Sequence, residues 1–151
     1  MPEGSAITEE MRRAVGVEKA TPIAIEKRMI KRFVEAIEDP NPLWQDEEYA
    51  KKTQYGGTIA PPMLFVASMM SGTEVRPDVP NPFQKMLDGG GKWEFFQPVR
   101  PGDVITATGK LADLREREGK LGKMVYWMFE ITHKNQRGEL VSRARSTLIT
   151  Y

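Results

Sequence analysis

The sequence predicts an α+β domain in which helices come first and an antiparallel sheet follows. Three observations predict it. Ile30, Phe33, Val34 and Ile37 recur at helical spacing in the first half. Met63 to Met70 is apolar almost all round, interrupted only by Ser68, so that helix belongs in an interior. From Val104 onward, alternating segments are divided by turn residues, and Val125, Trp127, Phe129 and Ile131 share one face. Helices followed by hairpin-linked strands is α+β order. The strand-rich half then wraps around the apolar helix and covers it.

Each element has a local reason. Ile7 to Val15 can form a short helix, with Thr8, Glu9 and Glu10 at its start and Gly16 as a stop. Thr21 to Ile25 reads as extended. The amphipathic helix through Ile30 and Ile37 carries Lys27, Arg28, Lys31, Arg32 and Glu35 on its other face. It ends at Asp39-Pro40-Asn41-Pro42, because the prolines forbid its continuation. Asp46 to Thr53 reads as a short helix with Asp46 as N-cap, broken by Gly56-Gly57. Pro61-Pro62 opens the central helix near residues 62–71, and Gly72 ends it. A proline-punctuated loop covers 73–82.

A strand start is read over Gln84 to Asp88, then Gly89-Gly90-Gly91, then an aromatic-rich segment from Lys92 to Gln97. The triple glycine lacks a phosphate-loop context, so it reads as a bulge or a close approach. The Arg100-Pro101-Gly102-Asp103 turn precedes a strand over Val104 to Arg115. Glu116 to Gly122 reads as a polar hairpin turn, Met124 to His133 as the clearest strand, and Asn135 to Gly138 as another turn. Leu140 to Tyr151 is the last strand.

The 151 residues predict one domain over 1–151, with 1–20 as an N-terminal extension. Lys plus Arg is 22 against 21 for Asp plus Glu, so a net charge of +1 gives no reason for a nucleic-acid or membrane-surface partner. The absence of cysteine excludes disulfides, thiolate nucleophiles and cysteine-ligated metal. No apolar run approaches the ~18 residues of a membrane span, and no signal peptide is visible. The expectation is a cytoplasmic protein. The single histidine, His133, falls at a strand end beside a turn and reads as a solvated imidazole. Asp46, Glu47 and Glu48 read as the acidic first turn of a helix rather than a metal site.

Three stretches carry a family resemblance. Asp39-Pro40-Asn41-Pro42-Leu43-Trp44-Gln45-Asp46, running on to Ala50, follows a D-x-N-P-x-H-x-D-x-x-x-A pattern. Gly57-Thr58-Ile59-Ala60-Pro61-Pro62-Met63-Leu64 sits at the central-helix entry. The third runs from Gly89 through Pro98-Val99-Arg100-Pro101-Gly102-Asp103 to Asn135-Gln136-Arg137-Gly138-Glu139-Leu140-Val141. The chain resembles the MaoC-like hydratase/dehydratase superfamily, and within it the fatty-acid-synthase-type dehydratase N-terminal group. The resemblance implies a single hot-dog domain, an antiparallel sheet wrapped around one helix, that dimerises edge to edge. It implies a substrate that is an enoyl or 3-hydroxyacyl thioester of coenzyme A or acyl carrier protein. No metal and no cofactor are implied.

In that motif an Asp and a His five residues later are the acid–base pair, and the helix-entry backbone holds the thioester oxygen. Asp39 stands at the Asp position and Asn41 matches the motif Asn, but Trp44 stands where the His is expected. An indole N–H donates and cannot serve as a base. Pro62 stands where the backbone donor is expected and has no N–H; the Met63 amide is the next available. Asp39 is therefore the candidate catalytic residue. Asn41, Trp44, Pro62, Met63, Gly90 and Gly91 are the candidate substrate-binding residues. The expectation is the tunnel-shaping partner, in a homodimer or a heterodimer, of a catalytic hot-dog subunit. A self-sufficient (R)-specific hydratase using Asp39 and a non-enzymatic acyl-CoA binder are the alternatives.

Overall fold

The computed structural model describes residues 4–64 and 76–151. In chain order it holds α1 (Glu9–Ala14), β1 (Glu18–Ala24), α2 (Lys27–Ala36), a single 3-10 turn (Pro42–Trp44), α3 (Glu47–Ala50), β2 (Met86–Phe95), β3 (Val104–Gly119), β4 (Gly122–Lys134) and β5 (Leu140–Thr150). One five-stranded sheet runs β1-β3-β4-β5-β2, with every neighbouring pair antiparallel. The expected α+β hot-dog sheet is present. The central helix expected near 62–71 lies, beyond Leu64, outside the described residues.

Alternation sets which face is inside. Ile105, Ala107 and Leu111 of β3 and Val125, Trp127 and Phe129 of β4 are buried, as a period of two requires of a sheet with one covered face. Two apolar clusters form on that side. Ile25, Ile30, Val34, Ala60, Leu64, Val99, Ile105 and Val141 make one, to which α2 contributes. Ile7, Met11, Leu111, Val125, Trp127 and Phe129 make the other, to which the N-terminal segment contributes.

The strands run further than the sequence predicts. β3 and β4 pair out to Gly119↔Gly122, leaving Lys120 and Leu121 as the turn, where a loop over 116–122 was expected. Glu116 to Gly119 is polar but still pairs, because a hairpin arm outside the core needs no apolar face. The segments on either side of the triple glycine are one strand, β2, with a register break between Asp88 and Gly91. The short helix at Asp46 closes at Ala50 instead of Thr53, with Asp46 capping the Tyr49 N–H at 3.0 Å.

His133 corrects the sequence reading most directly. It is 1% exposed, not solvated. It faces Ser142 across β4 and β5, and Nδ1 shares a 2.7 Å hydrogen bond with Ser142 Oγ. Burial pushes the imidazole down to about 4.

Two turns lock onto each other. Asp103 accepts from the Arg100 N–H at 2.9 Å and from Gln136 Nε2 at 2.8 Å, while Gln136 Oε1 accepts from the Val104 N–H at 3.1 Å. This cross-link is the physical content of the third sequence stretch. At the sheet's margins the two edge strands differ. β1 is short and contains Pro22. β2 has ten residues, and Met86, Leu87 and Phe95, with Phe96 just beyond, are exposed.

Candidate active-site loop

The loop begins where α2 stops. The Glu38 N–H bonds the Glu35 carbonyl at 3.3 Å, and the Asp39 N–H bonds the Val34 carbonyl at 3.1 Å. That pair of bonds is a Schellman termination, with Glu38 at φ 53° in the left-handed position that glycine normally fills. The backbone reverses there, and Asp39 emerges half-buried at the helix end.

Both carboxylate oxygens of Asp39 are engaged. Oδ1 accepts from the Asn41 N–H at 3.0 Å, and Oδ2 accepts from Trp44 Nε1 at 2.8 Å. Asn41 Oδ1 in turn accepts from the Leu43 N–H at 3.0 Å and starts the 3-10 turn that carries Trp44. The indole packs against the cluster built from α2 and Val99. An Asp–imidazole pair could pass a proton between its members; an Asp–indole pair cannot, because the indole only donates. Asp39, Asn41, Pro42 and Asp46 line one open groove of about 480 Å³, with Val34 at its base.

The segment from Gly57 to Leu64 is tied to this loop. The Ile59 N–H bonds the Leu43 carbonyl at 3.4 Å, and the Ala60 N–H bonds the Val99 carbonyl at 2.7 Å. Glu47 Oε2 accepts from Thr58 Oγ1 at 3.0 Å, and Arg100 donates to the Tyr55 carbonyl. Gly57 lies between these two charged groups: a Cβ there would sit 3.3 Å from Glu47 Oε1 and 3.6 Å from Arg100 Nη1. Glu47 and Arg100 were not singled out as site residues by sequence reasoning. The buried Gly-Thr pair after a gap of ten residues was the available signal. Pro62 and Met63 follow this strap and are exposed, and the Leu64 N–H bonds the Pro61 carbonyl at 3.0 Å. Asp39, Asn41 and Trp44 are thus brought together directly; Pro62 and Met63 come three and four residues after Ile59, whose N–H bonds the Leu43 carbonyl.

Gly90 and Gly91 stand elsewhere, in the bulge of β2. The Gly90 N–H, at φ 93°, bonds Asp88 Oδ1 at 2.8 Å. A Cβ on Gly91 would lie 2.6 Å from the Trp93 ring and 2.9 Å from the Arg145 carbonyl. The expected bulge is present, and it brings β2 close to β5. Trp93 packs on the same apolar cluster as Trp44. Gly91→Ala is expected to cost roughly 1–3 kcal/mol by overpacking against fixed backbone. Urea unfolding checks it; a change under 0.5 kcal/mol would mean that β2 moves away freely.

Among the described residues, no group of three His, Asp or Glu side chains is placed to hold a metal, and no helix is long and apolar enough to cross a membrane.

A five-stranded antiparallel sheet, with this motif loop tied to the Gly57–Leu64 segment, defines a MaoC-like hot-dog domain. The chain belongs to the family described as the FAS1-like dehydratase domain region, whose model matches residues 13–144. It is similar to a UPF0336 protein of Thermobifida fusca, 30% identical over 101 residues, or 65% of this chain and 66% of that one. The aligned stretch is therefore about two thirds of that relative's length. A probable enoyl-CoA hydratase alpha subunit of Thermomonospora curvata is 29% identical over 139 residues, covering 82% of this chain and 44% of that protein. The ChsH1–ChsH2 complex from Mycobacterium tuberculosis superposes with a TM-score of 0.75 at 20% identity, over 97% of this chain and 89% of that one. At that identity the likeness is one of fold.

Proposed function

We propose that this chain is the partner subunit of a catalytic MaoC-like hydratase/dehydratase, and helps shape the site for an enoyl or 3-hydroxyacyl thioester. One observation carries the reading: Trp44 Nε1 donates to Asp39 Oδ2 at 2.8 Å. The position where the motif has its base is filled by a group that cannot accept a proton. Proline at 62 removes a backbone donor at the helix entry as well. The alpha-subunit name of the Thermomonospora relative and the two-chain assembly of the Mycobacterium structure support a paired arrangement. The place of β2 at the margin of the sheet supports it too: among the described strands it pairs only with β5, and a sheet margin is a template for another sheet.

The test follows loss of the conjugated thioester absorbance of a trans-2-enoyl-CoA. The purified chain alone is expected to give no turnover, and Asp39→Ala no change. Adding a hot-dog chain with an intact Asp–His pair is expected to give turnover above that of the added chain alone. Robust turnover by this chain alone, abolished by Asp39→Ala, would instead make Asp39 the acid–base residue of a self-sufficient enzyme.

A further inference from the structure

A second groove opens on α2, beside the one at Asp39. Phe33 lines it, whereas the next residue, Val34, lines the groove at Asp39. Its volume is about 510 Å³, within the range of small-molecule sites. Met29, Phe33 and Leu64 make its apolar side, and they pack on or belong to the cluster that also holds Trp44. Arg28 and Arg32 also line it, with one carboxylate, Glu26.

The charge on α2 is unusual for its position. Lys27, Arg28, Lys31 and Arg32 are in its first two turns, and no acid is in the first. Cations there oppose the positive end of the helix dipole, so they cost the helix stability. Glu26 meets Arg28 only at 3.9 Å, with both side chains exposed. Lys31 pairs with Glu35 at 3.8 Å. Among the described residues, Arg32 has no ion-pair partner.

We propose that this groove is the subsite for the phosphopantetheine end of a coenzyme A thioester. Arg28 and Arg32 take the phosphates, and the groups lined by Met29, Phe33 and Leu64 receive the methyl and methylene parts of the arm. The proposal rests on the acyl-thioester reading above. Guanidinium forks match phosphate oxygens, and the apolar side matches the arm. Leu64 follows Pro62 and Met63 by one or two residues, so the groove meets the helix entry where the thioester would sit.

Isothermal titration of the full chain with coenzyme A tests it. Arg28→Gln with Arg32→Gln is expected to weaken binding about tenfold or more, since charge-assisted bonds to phosphate are lost. Pantetheine, which has no phosphate, is expected to bind both proteins alike. Lys31→Gln, on the same helix outside the groove, is expected to leave coenzyme A binding unchanged. Circular dichroism confirms that the variants are folded. Equal affinity of the double variant for coenzyme A overturns the proposal, and so does no binding by the unmodified chain at millimolar coenzyme A. Binding of holo acyl carrier protein alone, lost in the double variant, also overturns it and gives the groove to a carrier protein. If the chain raises a catalytic partner's turnover while coenzyme A affinity ignores both arginines, the groove fails by itself. If affinity follows the arginines and no partner's turnover changes, the partner-subunit reading fails by itself.

Discussion

Between pH 6.5 and 4 the folded protein is expected to lose about 3 kcal/mol of stability through His133 alone. The imidazole is buried beside Ser142, and burial holds it neutral down to about pH 4. In the unfolded chain it titrates near 6.5. Within that window the unfolded state binds a proton that the folded state refuses, so acidification favours unfolding. Above 6.5 both states are neutral and the full stability is present. Below about 4 both are charged and the loss stops growing. For a chain of this length the shift corresponds to roughly 6–12 °C in Tm. The measurement is urea unfolding at steps from pH 7.5 to 4, for the natural chain and His133→Gln. Subtracting the two curves cancels carboxylates such as Glu94 and Glu116, whose hydrogen bonds lower them and which also lose stability as pH falls. Parallel curves would show that His133 is already hydrated in the fold.

Met11→Ala is expected to cost roughly 2–5 kcal/mol, the range for emptying a buried Met site. Met11 is fully buried among Ile7, Leu111, Val125, Trp127 and Phe129. It also helps cap its own helix: Thr8 Oγ1 accepts from the Met11 N–H at 3.2 Å, and the Met11 sulfur faces the Thr8 N–H at 3.3 Å. One truncation therefore opens a cavity under the sheet and loosens the start of α1. Met11→Leu keeps the volume and is expected to cost under about 1.5 kcal/mol. Val17→Ala, on a residue 57% exposed, should stay within about 0.5 kcal/mol. Urea midpoints at constant slope report all three. A Met11→Ala loss below 1 kcal/mol would mean that residues 4–16 are only loosely seated.

Much of this was legible in the sequence. Helical spacing found α2, proline found its end, and alternation found β4. The motif loop was legible because Asp39, Asn41 and Asp46 each bond backbone nearby, so short spacing alone specifies their geometry. The burial of His133 was legible and missed. Val125, Trp127, Phe129 and Ile131 step inward by two, and the next step is His133. Reading it as the end of a strand beside a turn overrode that period. Contacts across many residues were not legible. The Glu47–Thr58 and Asp103–Gln136 bonds span 11 and 33 positions, and hydrophobic pattern has no term for which polar groups meet. Nor could sequence show that the Trp44 indole turns toward Asp39 instead of away, since that orientation is set by the cluster on its other side.

The unequal edges of the sheet have a consequence for stoichiometry. Pro22 takes one backbone N–H away from β1, whereas β2, with ten residues and no proline, pairs among the described strands only with β5. A sheet with one receptive margin has a valence of one: two such sheets saturate each other and growth stops, where two receptive margins would propagate a fibre. A valence of one also makes occupants rivals. If partners dock on β2 as proposed, a second copy and a different hot-dog chain cannot hold it at the same time. On the paired arrangement proposed above, the assembly would then be decided by the relative abundance of the two chains and their affinities for that single strand.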